Sequence, residues 1–315
     1  MPQNYPGPRP TIASVIAIDE YELVTESAGL VERPGRALFE VSGGETADFL
    51  QGQVSNDVEA LAAGEGCYAT LLNHKGKIRT DMRVLRTAGG FVLDTESFAH
   101  RVIEHMLETY SLGRDVHFRD LSRKRRLASL IGPRARERLD VAPPELEHAS
   151  VEGDHGLYVA TDLGVDVICA DPEALGVEPV SEDVAECLRI ESGRPRLGLD
   201  MDGETIPEEA GLNDRAIDFE KGCYVGQETV ARLHYRGKPN RHLRGLRLSA
   251  PAERGATLRL GDREVGRLGS SCVSPTLGPI ALAIVRREAS PGDTVAVGDD
   301  DATAEVVELP FSRPH

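Results

Sequence analysis

The chain has 315 residues and a formal net charge of −16, which argues against a generally nucleic-acid-binding surface. Its length allows two or three domains, and a hydrophobic content of 40% is ordinary for a globular protein. The five cysteines form no C-x-x-C pair, so the sequence indicates neither a disulfide framework nor a metal site, and we expect a reducing cytoplasm.

The first ten residues contain four prolines and predict an extended arm without a signal peptide. No apolar run is long enough to span a membrane. A strand is predicted over Arg36–Ser42, followed by a short helix. Cys67–Asn73 and Ile78–Leu85 then predict a hairpin with its turn at His74–Lys77.

The second hairpin strand alternates, which places Asp81 on one face between Arg79 and Arg83. Opposite charges nearby favour an ionised carboxylate, and such a carboxylate can orient an amine or accept its proton. The alternative interpretation is a solvated ladder of ion pairs on an exposed sheet face.

A helix predicted over Ser181–Glu191 carries an apolar stripe through Val184 and Leu188 that continues to Glu191. A carboxylate at a core-facing position needs a buried partner or a ligand with N–H donors. An arginine would satisfy it, and so would the pterin ring of a folate, whose adjacent N–H groups suit bidentate contact.

The segment Asp218–Glu228 reads DFEKGCYVGQE, and its last eight residues, Lys221–Glu228, are called the signature segment below. Gly222 and Gly226 permit positive φ angles or a close backbone approach. Lys221 lies two positions from Cys223, and a nearby ammonium stabilises a thiolate. The alternative is a glycine-rich surface turn with a chance cysteine.

The stretch Thr229–Ala252 carries six basic residues and no acidic one: Arg232, Arg236, Lys238, Arg241, Arg244 and Arg247. Either the glutamate tail of a folate or RNA phosphate would suit it, and so would simple balancing of acidic neighbours by exposed arginines. From about Leu243, short strands separated by Gly, Pro and Asp turns predict a small barrel.

The string K-G-C-Y-V-G-Q-E resembles the signature of the YgfZ family, folate-binding proteins that are related to the glycine-cleavage T-protein and implicated in iron–sulphur enzyme maintenance. The segments GKIRTDMRV and LRIESG are similar to T-protein segments in which an aspartate acts on the aminomethyl group and a glutamate holds the pterin. Asp81 and Glu191 fall on these positions. The resemblance extends from about Ala37 to the end of the chain.

This resemblance implies an α+β fold, a three-domain ring with antiparallel sheets, a C-terminal small β-barrel and folate in the central channel. The implied domains are an N-terminal arm (1–20), a discontinuous folate-binding domain (21–52 and 120–240), a second α+β domain (53–119) and the barrel (241–315).

The function implied is that of a cytoplasmic, monomeric tetrahydrofolate-binding protein that supports assembly or repair of iron–sulphur enzymes, including tRNA-modifying ones. Its expected partners are folate and iron–sulphur client proteins, with no membrane and no direct nucleic acid. An aminomethyltransferase or demethylase is the alternative, although the tryptophan-containing segment typical of T-proteins is absent. The implied catalytic residues are Cys223, Asp81 and Lys221; the implied cofactor-binding residues are Glu191, Asp81, Tyr224, Gln227, Glu228, Arg232 and Arg241.

Overall fold

The computed structural model describes residues 14–299 and 301–312, so the predicted proline-rich arm at residues 1–10 lies outside the described residues. Six α-helices are described: α1 (Ile18–Glu26), α2 (Thr46–Gln53), α3 (His100–Tyr110), α4 (Glu182–Glu191), α5 (Asn213–Ala216) and α6 (Gln227–Arg236). None of these described helices is long and apolar enough to cross a membrane.

Seventeen strands are described. The first eleven are β1 (Ser14–Val15), β2 (Gly29–Arg33), β3 (Arg36–Ser42), β4 (Gly66–Leu72), β5 (Ile78–Thr87), β6 (Gly90–Glu96), β7 (His117–Asp120), β8 (Arg126–Ile131), β9 (Ser150–Gly153), β10 (Gly156–Ala160) and β11 (Gly164–Cys169). The last six are β12 (Arg241–Leu248), β13 (Thr257–Leu260), β14 (Arg263–Ser274), β15 (Gly278–Arg286), β16 (Thr294–Val297) and β17 (Thr303–Val307).

The chain separates into two compact units. The barrel unit contains the described residues up to Tyr21, Asp183–Leu212 and the described residues from Arg232 onward. The two-sheet unit contains Glu22–Glu182 and Asn213–Ala231. The finer domain boundaries implied by the resemblance stay a prediction.

The barrel unit is built around six strands in the order β14-β13-β16-β17-β12-β15, and pairing of β15 with β14 closes the ring. The short β1 pairs in parallel with β14, with Ser14 opposite Cys272. Buried valine, leucine and alanine side chains fill the interior, among them Leu246, Leu258 and Val285. The small C-terminal barrel predicted from the strand pattern is confirmed.

The two-sheet unit contains two antiparallel five-stranded sheets, ordered β2-β8-β11-β10-β9 and β4-β5-β6-β3-β7. One face of the second sheet packs against α2 and α3 through a core that includes Phe39, Phe49 and Met106. Its other face meets the first sheet through a cluster that includes Leu38 and Val159. Together with the barrel, these sheets confirm the predicted α+β fold with antiparallel sheets.

The predicted hairpin is present as β4 and β5, joined by a turn in which the Asn73 side chain accepts hydrogen bonds from the backbone N–H groups of Lys75 and Lys77. Gly76 completes this turn with a φ of +73°, a conformation that favours glycine. Burial alternates along the first half of β5, and the half-buried Asp81 lies on the face opposite Met82. The hairpin thereby positions Asp81.

Candidate functional site

Glu191 ends α4 as a buried carboxylate in the barrel unit, with only 8% of its surface exposed. The phenol of Tyr21 donates to its two carboxylate oxygens at 2.9 and 3.0 Å. The hydroxyl of Ser274 donates to Oε1 at 2.5 Å. The helical stripe of Val184 and Leu188 is buried as predicted, so the sequence pattern correctly placed this carboxylate inward.

Helix α4 packs against β14 next to this carboxylate, with side-chain contacts at two successive positions. Cys187, one helical turn before Glu191, places its Sγ 3.4 Å from Sγ of Cys272, two residues before Ser274 on the strand. Contact with the Cys272 thiol and burial raise the pKa of Cys187, and burial raises the pKa of Tyr21 to about 12. Tyr21 therefore stays a hydrogen-bond donor at neutral pH, and the group is an acceptor carboxylate supported by hydroxyls.

Asp81 lies on β5 in the two-sheet unit and accepts a 2.5 Å hydrogen bond from the phenol of Tyr68. The expectation that flanking arginines keep it ionised is wrong for Arg83, because Arg83 pairs with Asp94 and Asp166, each at 2.6 Å. Burial raises the pKa of Asp81, the hydrogen bond from Tyr68 opposes this shift, and the charge of Glu96 adds to it. Asp81 is thus a partly desolvated carboxyl rather than a member of a solvated ladder.

Tyr68 and Arg215 complete the surroundings of Asp81. The guanidinium carbon of Arg215 lies 5.2 Å from the centroid of the Tyr68 ring, and Arg215 also donates to Glu147 at 2.9 Å. Burial raises the pKa of Tyr68 well above its usual value, so its phenol remains protonated. Neither residue was predicted from the sequence. In the register of β4 and β5, Thr70 lies opposite Asp81, and Tyr68, two residues before Thr70, is the diagonal neighbour of Asp81.

Lys221 of the signature segment is buried, with 9% of its surface exposed. Its side chain and the three backbone carbonyls that it binds are called the Lys221 clamp below. Its ammonium donates to the backbone carbonyls of Gln51 and Val54, both at 2.8 Å, and of Asn56 at 2.7 Å. These carbonyls lie at and just beyond the end of α2. Burial lowers the pKa of Lys221 to about 8. The contacts attach the signature segment to α2, while the predicted catalytic role of Lys221 stays a prediction.

The thiol of Cys223 is exposed, in contrast to the buried Cys169, Cys187 and Cys272. Gly226 has a φ of +87°, and a Cβ atom there would lie 2.5 Å from the carbonyl oxygen of Asn73 in the hairpin turn. At Gly222 φ is not positive, and a Cβ would meet nothing within 4 Å. Positive φ and a close backbone approach, which glycine permits, therefore occur at Gly226 and not at Gly222.

The remaining predicted site residues of the signature segment differ in how deeply they are buried. Tyr224 is buried, its ring centroid lies 5.3 Å from the Lys221 ammonium, and burial raises its pKa to about 12. Gln227 is half-buried and Glu228 exposed at the start of α6. Their predicted contacts with a cofactor stay predictions.

The basic stretch divides into paired and exposed members. Arg241 donates to both oxygens of Glu209 at 2.8 and 2.7 Å, and Arg244 lies 3.4 Å from Glu308. At these positions the arginines balance acidic neighbours. Arg232, Arg236 and Lys238 are exposed around the end of α6.

Six of the predicted site residues belong to the two-sheet unit: Asp81, Lys221, Cys223, Tyr224, Gln227 and Glu228. The other three, Glu191, Arg232 and Arg241, belong to the barrel unit. Within the two-sheet unit, Asn56 links the Lys221 clamp to the surroundings of Asp81. Its carbonyl accepts from Lys221, and its amide donates to the carbonyls of Tyr68 at 2.9 Å and Arg215 at 3.2 Å.

Comparison with known proteins gives two family matches. Residues 1–152 match the GCVT N-terminal domain, and residues 241–312 match the glycine cleavage T-protein C-terminal barrel domain. Similarity to individual relatives extends along most of the chain. An aminomethyltransferase of Thermotoga maritima is 29% identical over 328 residues, which cover 94% of this chain and 89% of that protein.

A chloroplast protein of Arabidopsis thaliana named as a candidate transferase is 29% identical over 301 residues, covering 87% of this chain and 69% of that protein. The crystal structure of glycine cleavage system aminomethyltransferase T from Bartonella henselae matches with a TM-score of 0.84 at 23% identity, covering 95% of this chain and 91% of that one. The fold is therefore that of an aminomethyltransferase. Two domain models of the glycine cleavage T-protein superfamily therefore match the chain, one in its N-terminal half and one in its C-terminal barrel.

Proposed function

We propose that this chain binds tetrahydrofolate and that the Glu191 carboxylate holds the pterin ring. The buried carboxylate at the end of α4 carries the proposal, because burial of a carboxylate costs free energy unless donors surround it. Tyr21 and Ser274 supply hydroxyl donors, and a carboxylate has lone-pair sites for further N–H groups. A pterin offers adjacent N–H donors of this kind.

The superfamily supports this proposal, since aminomethyltransferases of this family use tetrahydrofolate. A direct test is a calorimetric titration of the purified chain with tetrahydrofolate. Saturable binding that is weakened in Glu191→Gln is the expected result. An absence of binding would contradict the proposal, and unchanged affinity in the variant would contradict the role of Glu191.

The finer role that we propose is support of iron–sulphur enzyme assembly or repair, as in the YgfZ family. The exposed thiol of Cys223 in the signature segment supports it, because a solvent-facing thiol is open to a partner protein while the Lys221 clamp holds the loop. One thiolate does not hold a cluster alone, since such clusters usually take four. Cys223 would therefore contribute one ligand or one nucleophile to a partner.

Complementation tests this role. In a strain that lacks the gene, the wild-type chain should restore iron–sulphur enzyme activity, including tRNA methylthiolation, and Cys223→Ser should not. The serine variant must fold normally and bind tetrahydrofolate as the wild type does. Full complementation by this variant would show that the thiol is dispensable.

One-carbon transfer to tetrahydrofolate is the second candidate, and the surroundings of Asp81 favour it. A partly desolvated carboxyl that accepts a 2.5 Å hydrogen bond from Tyr68 can hold or receive a proton at Oδ1 or Oδ2 next to an amine. Asp81→Asn should then abolish turnover of aminomethyl donors and leave tetrahydrofolate binding intact. Binding without turnover in the wild type would favour the binding protein over the enzyme.

A further inference from the structure

The barrel unit contains an open pocket of about 690 Å³ that is separate from the Glu191 carboxylate and its hydroxyl partners. Its walls are the loop around Gly198–Asp202, strand β14, and residues of β12 and β15. The volume lies within the range of about 300–1,000 Å³ that is typical of small-molecule sites. None of the residues predicted from the sequence to carry function lines it except Arg241.

Asp200 anchors one wall of this pocket. Its carboxylate accepts from the backbone N–H of Ser270 at 2.7 Å, from Arg189 at 2.9 Å and from the backbone N–H of Arg196 at 2.9 Å. The side chain is fully buried, so its charge is matched inside the protein rather than presented to the pocket. The Gly198–Asp202 loop is therefore tied to both α4 and β14.

A β-bulge shapes the wall next to Asp200. The pairing of β14 with β15 shifts between Leu268 and Ser271, and Gly269 lies in the shifted part. A Cβ atom at Gly269 would lie 2.5 Å from Oδ1 of Asp200 and 2.9 Å from the Leu282 carbonyl oxygen. Only glycine permits this approach, and bulges are frequent beside functional sites.

The pocket lining combines positive charge with apolar surface. Four arginines line it against three acidic residues. Arg241 pairs with Glu209, and Arg267 lies 3.3 Å from Glu264. Arg286 is exposed and makes no ion pair with any residue in the described part of the chain.

Arg254 lies at the same pocket and is oriented by a 2.8 Å hydrogen bond to the carbonyl of Gly198. Leu199, Met201 and Ile284 supply apolar contacts nearby. Guanidinium groups bind carboxylate and phosphate oxygens with paired hydrogen bonds, whereas the apolar wall suits an organic body. An inorganic anion would leave that wall in water.

We propose that this pocket is a second ligand site, which binds a small organic anion through Arg286 and Arg254. The anionic group is a carboxylate or a phosphate ester, and the apolar part of the ligand lies against Leu199 and Ile284. This site is independent of tetrahydrofolate, so its failure would leave the proposed function unaffected.

The test uses the full chain, with methyl-labelled leucine and isoleucine followed by NMR. Benzoate and phenyl phosphate are the charged probes, and benzamide is the uncharged control. Saturable shifts at Leu199 and Ile284 with a charged probe support the site, and the tighter-binding probe identifies the anionic group. No saturable binding of either charged probe, or equal binding of benzamide, would overturn the proposal.

Arginine variants test which positive charges bind the anionic group of the probe. Arg286→Gln and Arg254→Gln should each weaken binding of the charged probe by about tenfold, because each removes a charge-assisted hydrogen bond. Arg287→Gln is the matched control, since Arg287 is also exposed but does not line the pocket. If all three variants lose affinity equally, the loss reflects the net charge of the protein and the proposed site is wrong. Unchanged affinity in Arg286→Gln would refute the assignment of Arg286 to the site.

Discussion

The carboxylate of Glu191 and the hydroxyl of Ser274 meet 2.5 Å apart where the last turn of α4 lies on β14. One helical turn earlier, Cys187 and Cys272 repeat the contact between the same two elements. A helical spacing of four residues thus matches a strand spacing of two, which aligns one face of the helix with one face of the strand. Because of this alignment, Glu191 on the buried face of α4 has a hydroxyl donor and can serve as a hydrogen-bond acceptor at a position that is normally apolar.

Glu191→Gln should weaken tetrahydrofolate binding by roughly 1.5–3 kcal/mol, because a neutral amide replaces a charge-assisted acceptor. Calorimetry measures the loss. Asp183→Asn, an exposed acid at the other end of α4, is the matched control and should bind normally. If both variants bind as the wild type does, the pterin is held elsewhere.

Cys223 should react with an alkylating reagent much faster than Cys187 or Cys272, because its thiol is exposed and theirs are buried. Timed labelling at neutral pH, read by mass spectrometry, gives the rates site by site. Cys223→Ser should unfold at the same urea concentration as the wild type. Labelling of Cys187 at the rate of Cys223 would show that the signature segment does not present its thiol.

Lys221→Met should lower the free energy of unfolding by about 1–3 kcal/mol, because the backbone carbonyls of Gln51, Val54 and Asn56 lose their donor. Lys238→Met removes an exposed ammonium of the same charge and should have little effect. Urea denaturation of the two variants compares them directly. Equal stabilities would mean that the clamp contributes nothing.

The pH dependence of the Lys221 clamp has a definite sign. Burial lowers its folded-state pKa to about 8, below the ordinary 10.5, so the unfolded chain holds more protons between these values. Stability should therefore rise with pH over this window in the wild type relative to Lys221→Met, and the difference should be flat below about pH 8. A difference that falls between pH 8 and 10.5 would contradict the lowered pKa.

Gly226→Ala should destabilise the chain by at least ~1–2 kcal/mol, because alanine is strained at a φ of +87° and its Cβ would meet the Asn73 carbonyl. Gly222→Ala, four residues earlier, should be tolerated since its Cβ would meet nothing within 4 Å. Thermal unfolding of the pair provides the comparison. Similar losses in both variants would show that the two glycines are equivalent.

If the exposed bases near α6, such as Arg232 and Arg236, hold the glutamate tail of a folate, polyglutamylated tetrahydrofolate should bind more tightly than the monoglutamate. Added salt should narrow this gap, because exposed charges are screened. Titrations of both ligands at low and high salt measure the effect. Equal affinities at low salt would exclude a role for this stretch in binding the tail.

Elements whose signals are local could be predicted from the amino-acid sequence. The alternation of β5, the apolar stripe of α4 that ends at Glu191, and the turn-punctuated strands of the barrel are all present. These features depend on side-chain periodicity and turn chemistry over a few residues, so they can be predicted without knowledge of distant contacts.

The partners that these side chains contact are visible only in the folded chain. Arg83 pairs with Asp94 and Asp166 rather than with its neighbour on the strand, and Lys221 meets carbonyls about 170 residues earlier in the chain. Burial then sets the direction of the pKa shift of Asp81. Partner choice and desolvation depend on how remote elements pack, and a short stretch of sequence does not carry that information.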